Sequence, residues 1–498
     1  MRPCLNLCLT GLLGVVAVSP AIAATFTVTT HADSGAGSLR AAIEAANAAA
    51  DPDTIAFAIP GSAVHEIFVT SSLPGIRHPV VIDGYTQPGS SLNTDGVGSN
   101  AQIRIALVGT GSTSVRGLAL LVDATGSVVR GLAINRFGGS QINAIADDCV
   151  ITGNYIGTDA TGTVAYPSSP GTRIGVSVGG DRCRVGGTTR AERNVVAGNS
   201  GSGVYVGGSD VVVQGNLIGT SRTGAAALGN SCGVSVGATG TGAPVTRSAV
   251  IGGRNAGVVT PRNVVSGNTR CGIEVVSGEG HVIEGNLVGL AAFPLAAIPN
   301  LGPGIDVRGG SQMRIGAAFA GEISNAIAGN LGPGVRIIGS TNPPTDVGVF
   351  GNAIFANEAL QIDLGTEGVT PNDPLDADEG PNGLQNFPVL TGVRLEPGST
   401  RVVGRIDSEP DAAYFIDVYA VTRCDPSGHG GASDYLGDAT IGTDASGSAA
   451  FQVDLADAPA SGFAVATATR TMGGPTSEFS RCIALGDVLF ADGFEPEE

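Results

Sequence analysis

The chain has 498 residues, 42% of them apolar, with 78 glycines and a net charge of −18. That much apolar material excludes a disordered polymer, and glycine without a three-residue period excludes collagen. All 26 cationic side chains are arginine, which excludes chemistry resting on a lysine, and the acidic balance argues against a nucleic-acid partner.

Arg2, an apolar run from Leu5 to Val18 and the small residues Ala21 and Ala23 have the form of a secretory signal, residues 1–23, cleaved after Ala23. The run is short for a bilayer span, and no later stretch reaches about 18 apolar residues. The mature chain is therefore expected to have no transmembrane segment and to be secreted or held at the cell surface. Cleavage removes Cys4 and Cys8 of the eight cysteines and leaves six in an oxidising compartment. Residues 24–78 read as an N-terminal capping region. Within it Leu39, Ala42, Ile43 and Ala46 share one face of a short helix that Ser38 caps, forming a lid on the first coil.

From 79 to 366 the sequence repeats. Gly175-Val-Ser-Val, Gly203-Val-Tyr-Val, Gly233-Val-Ser-Val, Gly272-Ile-Glu-Val, Gly304-Ile-Asp-Val, Gly334-Val-Arg-Ile and Gln361-Ile-Asp-Leu recur at spacings of 28, 30, 39, 32, 30 and 27 residues. A second phrase alternates between two forms. One is Gly153-Asn-Tyr-Ile-Gly, repeated at Gly215 and Gly285; the other is Asn194-Val-Val-Ala-Gly-Asn199, repeated at Asn263 and Asn325. Strands this short and β-branched, with no helices between them, stack as coils of a right-handed parallel β-helix. Inward Val and Ile columns then form the core, and asparagines at a fixed turn position can form a ladder.

Side chains alternate across a strand. The middle residue of each recurring phrase therefore points outward: Ser177, Tyr205, Ser235, Glu274, Asp306, Arg336 and Asp363. Glu274, Asp306, Arg336 and Asp363 fall on consecutive coils as candidate catalytic residues, since two carboxylates about 5 to 9 Å apart are what glycoside hydrolysis requires. The competing reading is a solvated charge ladder. His281 shares an inward column with Cys149, Cys183, Val211, Ala249 and Met313 and reads as an interior or turn histidine; His65 and His429 have no metal-site neighbours. Cys149 and Cys183 occupy matching places on adjacent coils, as do Cys232 and Cys271, at a separation of about 4.8 Å that suits a disulfide. Buried free thiols are the alternative.

Residues 367–386 form an acidic, proline-rich linker. Asp373, Asp376, Asp378 and Glu379, with Asn372 and Asn382 nearby, suit Ca²⁺ but lack the full twelve-residue hand pattern, so a solvated acidic hinge is the equal alternative. No other cofactor is indicated. From 387 to 485 alternating runs (Arg401–Ile406, Tyr414–Val421, Ala449–Leu455, Phe463–Thr469) read as a small β-sandwich. Cys424 and Cys482 bracket it and are expected to pair. Residues 486–498 are a C-terminal tail.

Thr29-Thr-His-Ala-Asp-Ser-Gly-Ala-Gly-Ser-Leu-Arg-Ala-Ala-Ile43 resembles the CSLREA motif of bacterial secreted β-helix proteins, with Gly37 in place of its Cys and Ala41 in place of its Glu. Ile82-Asp-Gly-Tyr-Thr-Gln-Pro-Gly89, Asn154-Tyr-Ile-Gly-Thr-Asp-Ala-Thr-Gly162, Gly380-Pro-Asn-Gly-Leu-Gln-Asn-Phe-Pro388, Cys424-Asp-Pro-Ser-Gly428 and Thr476-Ser-Glu-Phe-Ser480 are similar to phrases of the same proteins. The resemblance spans nearly the whole mature chain. It implies export, a pectin lyase-like solenoid and an Ig-like C-terminal domain, and no firm enzyme activity. The ending Leu489-Phe-Ala-Asp-Gly-Phe-Glu495 resembles a short tail of other exported bacterial proteins. The sequence is thus read as a non-catalytic secreted or surface protein presenting an extended face to an extracellular glycan or cell-surface component. A polysaccharide hydrolase or lyase using the Glu274–Asp363 face is the alternative. The absence of Trp and Lys and the mostly small, polar outward column favour the first.

Overall fold

Strands of two to six residues, each closed by a turn, bury their apolar face only by stacking on like strands. They do so here in a computed structural model that describes residues 23–49, 52–166, 173–238, 244–253, 262–317, 324–339, 342–396, 399–455, 459, 461–471 and 473–485. Residues 1–22 of the expected leader and the tail 486–498 lie outside the described residues. No described helix is long and apolar enough to cross a membrane.

The chain visits three parallel sheets in turn. Sheet A has 11 strands from Thr25–Val28 to Thr345–Phe350, sheet B has 10 from His65–Val69 to Ala353–Phe355, and sheet C has 9 from Leu118–Leu120 to Ile362–Leu364. The coil therefore begins within the segment expected to be only a cap. The register is the one the repeat predicts: Val204, Val234, Ile273, Ile305, Val335 and Ile362 stack in one column of sheet C. Each is at most 2% exposed. Burying such side chains contributes about 1.5–3 kcal/mol apiece.

Two asparagine ladders run beside these columns, one at each end of sheet B. Asn154, Asn194, Asn216, Asn263, Asn286, Asn325 and Asn352 pass amide hydrogen bonds from coil to coil at 2.8 to 3.3 Å. Asn199, Asn230, Asn268, Asn300, Asn330 and Asn357 do the same at the far end. The buried turn amides are thereby satisfied where water cannot reach.

The alternation of the second phrase follows from the outer side of sheet B. Its outward column, which includes Tyr155, Val195, Leu217, Val264 and Leu287, is apolar and buried. Hairpins cover it, closed by bridges Thr158↔Ala165, Thr220↔Ala227 and Leu290↔Ala297. Each follows a Gly-Asn-x-Ile/Val-Gly coil, and the second and third dock on the hairpin before them, with Arg222 N on Gly162 O at 2.8 Å and Ala292 N on Gly224 O at 2.9 Å. A hairpin is two strands wide, about 9.6 Å, so one hairpin roofs two coils. Gly198 and Gly267, in the coils without a hairpin, make the room. A Cβ there would come within 2.6 and 2.8 Å of the Ala165 and Ala227 methyls, and both residues have positive φ, 76° and 73°.

Both open ends are covered. At the start lies helix α1 (Leu39–Ala46), capped by the Ser38 hydroxyl accepting from Ala41 N; its Leu39, Ala42, Ile43 and Ala46 are buried in the solenoid core, as expected. At the far end the small domain is the lid. Its strands Val389–Glu396, Ser399–Asp407 and Ser448–Leu455 form one antiparallel sheet, and Asp434–Gly442, Ala413–Val421, Phe463–Arg470 and Ile483–Ala484 another. The two share a core around Val402, Ile406, Ile416, Val418, Phe451 and Val453. The opposite face of the four-stranded sheet carries Tyr419, Val421 and Val465, which belong to the solenoid's own core with Ala432 and Phe479.

Each terminal strand edge is satisfied. Val347 pairs with the side chain of Asn382, Val349 N donates to Thr476 Oγ1 at 2.8 Å, Ile354 exchanges two hydrogen bonds with Ala432, and Leu364 N donates to Glu478 Oε1 at 2.9 Å. The stretch 367–386 is therefore no free hinge: the turn Pro381–Leu384 is fastened to the last coil, with Asn382 fully buried.

Thr476→Val keeps the volume and removes the acceptor for Val349 N. It is expected to cost about 1–3 kcal/mol in urea unfolding and to abolish amide-exchange protection at Val349 before that of the central coils.

Candidate functional site

The outward column of sheet C is registered as parity predicts: Ser177, Tyr205, Ser235, Glu274, Asp306, Arg336 and Asp363 are successive Cα partners. Its exposure is not what was expected. Glu274 is 7% exposed, Asp306 1% and Asp363 2%. Arginines cover the first two. Arg270 grips Glu274 with two bonds of 2.9 and 2.8 Å, and Arg336 grips Asp306 with two of 3.0 Å. Arg308 Nε lies 2.9 Å from Asp306 Oδ2 and 3.4 Å from Glu274 Oε1, bridging the two coils. The column is neither an open pair of carboxylates nor a solvated ladder; the charges of Glu274 and Asp306 are tolerated away from water because both are paired and hydrogen-bonded. Arg308 and Arg270 were missed as guards, although both lie an even number of residues from a column carboxylate and so share its face.

Asp363 accepts from Gly368 N at 3.2 Å, and burial pushes its carboxyl up to about 6 against the pull of Arg336. Glu478, 2% exposed, sits at the same end of the column and receives the amides of Leu364 and Thr370 at 2.9 and 3.1 Å. Burial first, and then Asp363, lift it to about 7 despite those amides. Beside this junction a groove of about 1140 Å³ runs between the turns leaving sheet C and the segment after the last coil.

The linker acids separate. Asp373, Asp376 and Asp378 bring one oxygen each within 4.8 Å of one another, whereas Glu379 lines the groove instead. Asp376 is held by Ser408 Oγ, Gln385 Nε2 and Asn386 N, and burial pushes it up to about 6. Asp373 Oδ1 and Asp378 Oδ1 are buried and receive no hydrogen bond. Three carboxylates crowded in this way fit a hard divalent cation such as Ca²⁺, with Asp373 and Asp378 supplying the free oxygens.

Two of the three expected disulfides are present, Cys232–Cys271 across adjacent coils and Cys424–Cys482 in the small domain. The third is not. Cys149 and Cys183 stack as expected but are free, buried thiols that both turn to Ala146 O at 3.2 Å, filling an inward column as small apolar side chains do. His281 is an interior histidine, receiving Ala249 N at 3.2 Å, and its burial lowers its pKa.

No protein-family model matches the chain, and no curated protein does. Among solved structures it is similar to the A-module of the mannuronan C-5 epimerase AlgE4 of Azotobacter vinelandii, at 12% identity and a TM-score of 0.33 over 68% of this chain and 90% of that one. It is also similar to a tailspike mutant of E. coli bacteriophage HK620 in complex with a hexasaccharide, at 14% identity and a TM-score of 0.23 over 87% of this chain and 88% of that one. Likenesses this distant add nothing to the site, and the parallel β-helix stands on the three sheets themselves.

Two measurements test the acids. Asp363, Asp376, Asp417 (lifted by burial to about 7) and Glu478 bind protons more tightly folded than unfolded. Their contribution to stability is therefore greatest in acid and is lost as pH rises from about 4 through about 7. Burial lowers His281 and His429, which act in the opposite sense, their contribution being lost as pH falls. Glu478→Gln isolates one acid: the change in Tm between pH 5 and pH 8 is expected to be smaller in the variant than in the parent. For the metal, Ca²⁺ is expected to raise Tm and chelation to reverse it. Asp378→Asn abolishes the shift; no shift in the parent rejects the site.

Proposed function

We propose that the protein is exported and acts as a non-catalytic module that binds an extracellular glycan, with the outer face of sheet C and its adjoining groove as the binding surface. One observation carries this reading: Glu274 and Asp306, the adjacent carboxylates of the column, are already held by Arg270, Arg308 and Arg336. Hydrolysis of a glycosidic bond needs an acid that reaches the leaving oxygen and a second carboxylate facing the sugar or a water. Glu274 and Asp306 are covered and bridged by one guanidinium, which leaves neither free for that work. A hydrolase or lyase built on this face is the competing reading and is disfavoured on the same ground. A stack of coils, by contrast, offers a long, rigid surface suited to an extended polymer.

The test is to incubate the mature protein with acidic and neutral polysaccharides and to follow both retention and new reducing ends. Retention without turnover is expected. Asp306→Asn is expected to lower stability by about 3 kcal/mol through the unpairing of Arg308 and Arg336. Turnover that Glu274→Gln or Asp306→Asn abolishes would reject the non-catalytic reading.

A further inference from the structure

Arg308 differs from its two neighbours in which edge of its guanidinium is engaged. Arg270 uses both Nη groups on Glu274, and Arg336 uses Nε and Nη2 on Asp306. Arg308 hydrogen-bonds through Nε alone, to Asp306, and its two Nη groups have no hydrogen bond to any described residue. The side chain is 42% exposed and lines the groove. Its anchors, Asp306 and Glu274, are buried and belong to two coils of the rigid solenoid. The result is a guanidinium fixed at one edge, with the fork that matches a carboxylate left unengaged on a side chain that lines an open groove.

The rest of the groove indicates what brings the carboxylate. Ser277 and Asn342 line the wall of coil turns, and Thr366, Thr370 and Glu379 line the wall formed by the chain after the last coil. These hydroxyl, amide and carboxylate groups suit the hydroxyls of a sugar. A peptide added as a strand needs an open sheet edge, and the edges of the last coil are occupied by Asn382, Thr476, Ala432 and Glu478. A polymer charged at every sugar would meet Glu379 in the opposite wall and the −18 charge of the whole chain. We propose that this groove binds an acidic oligosaccharide in which carboxylate-bearing sugars are separated by neutral ones, with the carboxylate accepting both Nη groups of Arg308 and sugar hydroxyls donating to Glu379. The proposal rests on the glycan-binding reading above and names the class of glycan.

Calorimetric titration of the mature protein separates the two. The probes are a hyaluronan hexasaccharide, in which uronate alternates with N-acetylhexosamine, hexagalacturonate, the neutral chitohexaose and an acidic hexapeptide. The hyaluronan hexasaccharide is expected to bind most tightly. Arg308→Gln is expected to weaken it by about 10- to 100-fold, and Arg308→Lys by nearly as much, because an ammonium cannot fork. Arg470→Gln removes an equal charge from an exposed pair with Glu409 in the small domain, outside both the groove and the outer face of sheet C; it is expected to leave the Kd unchanged, which separates recognition in the groove from net charge. Chitohexaose binding as tightly as the acidic probe, with Arg308→Gln without effect, overturns the proposal and leaves glycan binding standing. Hexagalacturonate or the peptide binding more tightly than the hyaluronan probe overturns it too. No binding of any sugar defeats the glycan reading itself.

Discussion

A parallel β-helix hydrogen-bonds each coil to the one above and the one below, and so has two open ends by construction. Unpaired edges invite another chain. Here the first end is met by the eight residues of α1 and the last by a whole domain, whose four-stranded sheet offers one face to its own sandwich and the other to the solenoid core. Asn382, Thr476, Ala432 and Glu478 satisfy the strand edges that no further coil can. The stretches around residues 380–388 and 476–480 are the pieces that perform this closure. Solenoid and small domain are consequently one structural unit.

The stacking distance also sets the repeat. A hairpin is twice as wide as a coil is tall, so a continuous roof over sheet B needs a hairpin only on alternate coils. The glycine of the intervening phrase is the space the neighbouring alanine methyl occupies. What reads as two alternating sequence forms is one geometric period of two coils.

The same stacking brings Glu274, Asp306, Arg336 and Asp363 into line and Arg308 between two of them. Carboxylates so placed either do chemistry or support their neighbours. Glu274 and Asp306 are buried and engaged by arginines, and the outermost charged groups beside them are guanidiniums on a protein of strongly negative net charge. Positive groups held out by buried anions suit recognition of a sparsely charged anionic ligand better than acid–base work.

Much of this was legible in the sequence, because a repeat of about thirty residues specifies which residues lie over which. The inward Val and Ile columns, the asparagine ladder, the cap helix with its Ser38, the column from Ser177 to Asp363 and the Cys232–Cys271 pair all follow from periodicity and parity. Periodicity is local information repeated. It says which side of a sheet a side chain leaves from, and it does not say what lies above that side chain. Whether Asp306 meets water or a guanidinium, whether Cys149 and Cys183 are bonded or only stacked, and whether the acidic stretch is a hinge or a clasp depend on groups that folding brings together from other coils and from the far end of the chain. Glu478, more than a hundred residues beyond the strand it caps, carries no periodic signal. Only the tertiary structure places it there, because the open end of a solenoid can be closed only by chain that lies outside the repeat.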